Sequence, residues 1–127
     1  MDNINLTNAE RMIMEIIWEH KELSNAEITD LLEKETGWSR HTVKTYTNSL
    51  MEKGMLGVNQ ISQRKIKYYP IISKEKYLAV KTSSYLRNNY SRLSYMVAGL
   101  INNEQVTTDE INELEQLIKE YKEKMHD

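Results

Sequence analysis

The sequence predicts a mostly α-helical chain with one small β-hairpin, organised as two units, residues 1–72 and 73–127. Three observations predict it. Boxes of the S/T-x-x-E type (Thr7–Glu10, Ser24–Glu27 and Thr107–Glu110) each stand directly before an apolar run of helical period. Between residues 55 and 72 the apolar period drops from about 3.6 to about 2, the mark of strands. Charge is also segregated. The net −2 resolves into −6 for residues 1–37, +5 for 38–72, +4 for 73–92 and −5 for 93–127.

The first helix is expected over residues 8–20, with Met12, Ile13, Ile16 and Ile17 inward, and the second over 25–35, with Ile28, Leu31 and Leu32 inward. Gly37 connects it to a third helix, capped by Ser39, with Val43, Tyr46, Thr47 and Leu50 inward. Gly54 suits the left-handed position that ends this helix. Strands follow at 55–60 and 65–72 around the polar turn Ile61-Ser62-Gln63-Arg64, and Pro70 marks the end of the second as an edge. Ser73 caps a fourth helix over 74–89. A fifth, over 92–102, carries Leu93, Met96, Val97, Leu100 and Ile101. A sixth, over 108–125, carries Ile111, Leu114, Ile118, Tyr121 and Met125 in a coiled-coil-like seam. Three helices and a hairpin, in that order, are the plan of a winged helix-turn-helix, with a separate helical unit after it.

Composition narrows the function. With 39% apolar and 28% charged residues the chain reads as an ordinary globular protein. The absence of cysteine excludes disulfides, thiolate metal sites and cysteine nucleophiles, and fits a cytoplasmic location. The opening MDNINLTNAE lacks the charge and apolar pattern of a signal peptide, and no apolar run approaches the length of a membrane span, so no membrane insertion is expected. No Ser-His-Asp arrangement, Gly-rich phosphate loop, carboxylate pair or metal-ligand spacing is apparent, which argues against an enzyme and against a cofactor. His20, His41 and His126 are scattered and read as surface histidines, the seven Met as core filler. Trp18 and Trp38 read as packing residues. Tyr77, Tyr85, Tyr90 and Tyr95 read as packing at the junction of the units or in a dimer seam, in preference to a ligand pocket.

The third helix carries the chemistry. At about 100° per residue, Leu50 returns to within about 20° of Val43, while Lys44, Asn48, His41 and Thr45 lie about 100–200° away. They project outward together, with Arg40 beside them at the helix start, and no acid stands on that face. An α-helix fits the major groove of DNA, and these side chains donate to base edges or phosphates. The hairpin adds Gln63, Arg64, Lys65 and Lys67, placed where a wing would lie on flanking phosphates. The weighed alternative is a winged-helix interaction module without sequence-specific DNA binding, which predicts no salt-dependent affinity for duplex.

The pattern W-S-x-x-T-V-K-T-x-x-x-x-L-x-x-K-G, here Trp38, Ser39, Thr42, Val43, Lys44, Thr45, Leu50, Lys53 and Gly54, resembles the penicillinase-repressor family (BlaI/MecI/CopY type). Glu10, Ile17-Trp18, Tyr68-Tyr69-Pro70 and Thr108-Asp109-Glu110-Ile111 extend the resemblance over essentially the whole chain. It implies a homodimeric transcriptional repressor that binds a palindromic DNA operator and dimerises through its C-terminal helices. Leu93, Met96, Val97, Leu100, Ile111, Leu114, Ile118 and Tyr121 are the expected interface. The motif carries over Ser39, Thr42, Lys44 and Thr45 as DNA contacts. Arg40, His41, Asn48 and the wing residues rest on helical geometry and position. The copper-sensing branch carries Cys-x-Cys, which this chain lacks. The β-lactam branch implies a sensor protease as partner, relieving repression by cleavage at an Asn–Phe bond. This chain has no Phe, and its matching segment reads Val97-Ala98-Gly99-Leu100-Ile101.

Overall fold

The computed structural model describes residues 4–126. The elements are α1 (Asn8–His20), α2 (Asn25–Thr36), α3 (Arg40–Glu52), β1 (Leu56–Gln60), β2 (Ile66–Pro70), α4 (Lys74–Asn88), α5 (Leu93–Asn102) and α6 (Thr108–Met125). They form two compact units, one running through Ser84 and the other beginning at Tyr85.

All three expected capping boxes form. Thr7, Ser24 and Thr107 each accept from the backbone N–H of the box glutamate, whose carboxylate accepts from the cap N–H. Ser39 caps α3 by accepting from the Thr42 N–H at 3.2 Å. Gly54, at φ 76°, ends α3 in the left-handed conformation. Its N–H donates to the Met51 carbonyl and the Met55 N–H to that of Leu50, while Leu50 and Met55 are wholly buried beside the turn.

The first unit holds the core. Ile13, Met14, Ile17, Ile28, Val43, Leu50, Met55, Leu56 and Tyr68 are buried where α1, α2, α3 and the hairpin meet. Met14 therefore belongs to the core although the inward set expected for α1 omitted it, whereas Met12 and Ile16 are only partly buried. Leu31 is 46% exposed, because Ile28 and Leu32 fill the core face of α2 and Leu31 lies on its flank. Tyr46 is half-buried, with its ring 5.0 Å from that of Trp38. Trp18 donates its indole N–H to the Ile72 carbonyl at 2.8 Å, and its ring lies 5.4 Å from buried Tyr77, which fastens the start of α4 to this unit.

The strands are shorter than expected. Their antiparallel register runs from Leu56 opposite Pro70 to Gln60 opposite Ile66. Beyond Pro70 the Ile71 N–H still donates to the Met55 carbonyl at 2.9 Å, but the Met55 N–H is taken by the Leu50 carbonyl, so the pairing cannot be completed. Pro70 itself stands where its missing N–H would face away from β1. At the other end the Ile61 and Ser62 N–H groups both donate to the Lys65 carbonyl, which makes residue 65 part of the turn. A two-stranded hairpin is marginal alone. This one is anchored by Leu23, which exchanges both backbone hydrogen bonds with Tyr68, at 3.0 and 2.8 Å. The Tyr69 ring lies over Gly57 from the opposite strand: a Cβ there would come within 2.5 Å of it, so a larger residue would have to push the ring aside.

One buried acid joins the helices. Glu10 is 1% exposed, and its Oε1 accepts from the Thr7 N–H at 2.8 Å and from Lys53 Nζ at 2.6 Å. Its Oε2 accepts from the Ser49 hydroxyl at 2.6 Å, and Lys53 Nζ also donates to the Asn5 carbonyl at 2.8 Å. Burial alone would raise the Glu10 pKa. The hydrogen bonds from Lys53, Ser49 and Thr7 and the lysine charge outweigh it and pull the value from 4.5 down to about 2.

A carboxyl whose folded pKa lies below its unfolded value stabilises the fold fully above the unfolded value. That contribution, on the order of 3 kcal/mol, should disappear as pH falls from about 4.5 to about 2. Lys53→Met should lower stability at neutral pH by about 2–4 kcal/mol in urea unfolding, because it strands a buried charge. The gap between the two proteins should close through that acid window. A gap unchanged between neutral pH and about pH 2 would remove the ion pair from this account.

Candidate nucleic-acid interface

The N-terminal half of α3 is held at both sides of its first turn. Ser39 closes the cap, and its hydroxyl lies 3.2 Å from that of Thr42, so both groups are engaged within the turn. The Asn25 side-chain N–H donates to the Arg40 carbonyl at 3.1 Å. The Thr29 hydroxyl donates to the other end of that amide at 3.2 Å, which orients Asn25. Val43, Thr47 and Leu50 are buried, and the buried Thr47 hydroxyl is satisfied by the Lys44 carbonyl at 3.0 Å.

With that face inward, Arg40, His41, Lys44, Thr45 and Asn48 are all exposed, as helical geometry predicts. The Thr45 hydroxyl donates to the His41 carbonyl at 3.2 Å, which engages its proton within the helix while the side chain stays exposed. Gln63, Arg64 and Lys65 are exposed at the hairpin tip. Arg40, His41 and Lys44 from α3 and Arg64 and Lys65 from the hairpin line one groove, whose far wall is the first turn of α2. Thr45 and Asn48 continue the exposed face of α3 beyond it.

Lys67 differs from its neighbours. It is half-buried, and its Nζ lies 3.6 Å from Glu27 Oε1. The backbone N–H of Ser24 is the main reason Glu27 is held below the usual carboxylate range. Burial opposes it, and the Ser24 side chain and the charges of Lys67 and Lys65 add to it. Sequence reasoning missed both Asn25 and Glu27 as parts of this site. Glu27 was visible only as a capping residue, and nothing in the linear spacing brings position 25 to position 40.

In the second unit Leu93, Leu100, Leu114, Ile118 and Tyr121 are 40–63% exposed, and Met96, Val97 and Ile111 are half-buried. No residue of α5 or α6 is buried in the single chain. Of the four tyrosines expected to pack, Tyr77 alone is buried; Tyr85, Tyr90 and Tyr95 are exposed. Among the described residues no helix is long and apolar enough to cross a membrane.

Three helices, a hairpin hung from the connection between the first two, and a basic groove shared by the third helix and the hairpin define a winged helix-turn-helix protein. The family model described as penicillinase repressor matches residues 6–120. The chain is 34% identical over 118 residues to the penicillinase repressor of Bacillus licheniformis, covering 92% of this chain and 91% of that one. The solution structure of the DNA-binding domain of the repressor BlaI superposes with a TM-score of 0.52 at 31% identity, over 61% of this chain and 94% of that domain. The solution structure of the monomeric form of Bacillus licheniformis BlaI in complex with the blaP half-operator gives a TM-score of 0.50 at 30% identity, over 58% of this chain and 89% of that one. The chain belongs to the penicillinase repressor family, and is accordingly a transcriptional repressor and not an enzyme.

Proposed function

We propose that two copies of this chain bind a palindromic duplex operator, each placing α3 in a major groove and its hairpin on the flanking backbone. The observation that carries the reading is the single groove formed by Arg40, His41 and Lys44 of α3 with Arg64 and Lys65 of the hairpin. The relative with a structure described as a half-operator complex supports the choice of duplex DNA as partner. An α-helix fits the major groove, and the N-terminal turn of α3 directs its dipole and free N–H groups at phosphate.

The roles follow from position. Thr45 and Asn48, on the exposed face of α3, read base edges. Arg40, His41 and Lys44 hold the helix against the backbone or reach bases from its N-terminal end, and Ser39 and Thr42 present the capped turn. Gln63, Arg64 and Lys65 lie on phosphates, and Lys67 supports them from the base of the hairpin. Residues 73–127 act as the dimerisation unit, through the apolar side chains of Leu93, Met96, Val97, Leu100, Ile111, Leu114, Ile118 and Tyr121. A twofold dimer would set two α3 helices about 34 Å apart, or a small multiple of that, along one face of the duplex.

Selection of bound genomic fragments by the purified protein at two salt concentrations tests the reading; it requires a recovered palindrome and affinity that falls steeply with salt. Thr45→Ala should cost about 1 kcal/mol on the operator, change the preferred base at one position and leave random duplex unaffected. Equal losses on both would remove Thr45 from base reading. Arg64→Ala should weaken all sequences alike and flatten the salt dependence by about one ion per protomer.

Dimerisation has its own test. The wild type should sediment as a dimer at micromolar concentration, and Ile118→Arg, which sets a charge in the apolar seam, should produce monomers with the first unit still folded. A wild-type monomer at that concentration would exclude the proposed interface.

A further inference from the structure

One acid stands among the bases of the groove. Glu27 is the third residue of α2, and its Oε1 accepts from the Ser24 N–H at 2.8 Å. The same oxygen faces Lys67 Nζ at 3.6 Å. The carboxylate is fixed by the capping box and is no freely moving surface acid. Lys67 comes from the paired part of β2, opposite Asn59, so backbone pairing holds its Cα in place.

We infer that Glu27 is an electrostatic brake on backbone binding: it withholds Lys67 from phosphate and repels phosphate entering the groove between α2, α3 and the hairpin. This rests on the DNA-binding reading above. Non-specific affinity comes almost wholly from phosphates neutralised by Lys and Arg. An internal carboxylate that occupies one of those cations lowers the number available. Glu27 stays ionised throughout the neutral range, because the Ser24 N–H and the neighbouring lysines hold its pKa below the ordinary value. The brake is therefore a constant feature and not a pH switch. It limits the fraction of repressor held on irrelevant DNA, where backbone contacts act alone.

Glu27→Gln isolates the charge, since glutamine also serves at this position of a capping box. The experiment measures binding of the full chain to a labelled random-sequence duplex by fluorescence anisotropy over a salt series. Wild type, Glu27→Gln, Lys67→Met and the double variant are compared, with the fold of each checked by thermal melting. Glu27→Gln should tighten binding about 3–10-fold near 0.1 M salt and steepen the salt dependence by about one ion per protomer. In the Lys67→Met background the gain should shrink to about twofold, the share left by direct repulsion of phosphate, because there is no cation left to release.

Unchanged or weaker binding by a folded Glu27→Gln protein would overturn the brake. Weaker binding would instead make Glu27 the strut that positions the hairpin. A gain that persists in full without Lys67 would overturn the withholding of that lysine. If wild type binds the duplex in a salt-dependent way and the variant matches it, the inference alone fails. If neither protein binds at low salt, the DNA-binding reading fails with it.

Discussion

The buried Glu10 carboxylate is the constraint on which the geometry of the first unit depends. Taking an ionised group out of water costs several kcal/mol unless it is paired and hydrogen-bonded. Here the lysine ammonium, a serine hydroxyl and the backbone N–H of Thr7 offset that cost together. The partners come from different parts of the chain. Thr7 caps α1, Ser49 lies in the last turn of α3 and Lys53 is its C-terminal cap, and Lys53 also reaches the carbonyl of Asn5. The contact therefore fixes the rotation of α3 about its own axis as well as its distance from α1. Rotation decides which side chains face outward, and the outward set is the candidate interface. The opposite end of α3 is tied independently by Asn25. With both ends held, little freedom remains for the exposed face to turn away from a partner.

The hairpin is fixed to the same frame by different means. Its Tyr68 pairs with Leu23 on the side away from β1, and its Lys67 faces Glu27 of α2. Leu23 and Glu27 flank the start of α2, the helix whose Asn25 holds Arg40. One short stretch, residues 23–27, thus locates both the hairpin and the start of α3. That is why basic residues more than twenty positions apart flank a single groove. The charge reversal along the chain gains a structural meaning here. The acidic first segment supplies Glu10 and Glu27, each facing a lysine from the basic middle segment.

Much of this was legible in the linear sequence, for identifiable reasons. Helix starts were plain because capping boxes are local and reciprocal, and all three formed. The end of α3 was plain because Gly54 is the residue type a left-handed turn favours. The exposed face of α3 followed from helical periodicity alone. What escaped was non-local. Glu10 read as a capping residue and Lys53 as a motif residue, and no spacing rule joins positions 10 and 53. Met14 was missed because α1 buries a wider face than its isoleucines mark. Leu31 was misplaced because periodicity cannot say how wide a face the neighbouring elements will cover. Gly57 appeared as a weakness in its strand, since only the register shows that it makes room for Tyr69.

The second unit poses a different physical problem. No side chain of α5 or α6 is fully buried, yet both carry rows of large apolar residues. Two of its turns hold non-glycine residues in the left-handed region, Tyr90 at φ 51° and Glu104 at φ 56°. Each such residue costs roughly 1–2 kcal/mol. A unit of this size has little core with which to offset those costs. Association through the apolar seam would supply the missing burial, at about 25 cal/mol per Å² of apolar surface removed from water. In the proposed dimer the order of the second unit and the pairing of the first units are then one equilibrium. Protein concentration would set both the folded fraction of the C-terminal helices and the fraction of chains able to span two half-sites. Anything that loosens the seam would lower operator affinity without touching α3, because it removes the second α3 from reach of the duplex.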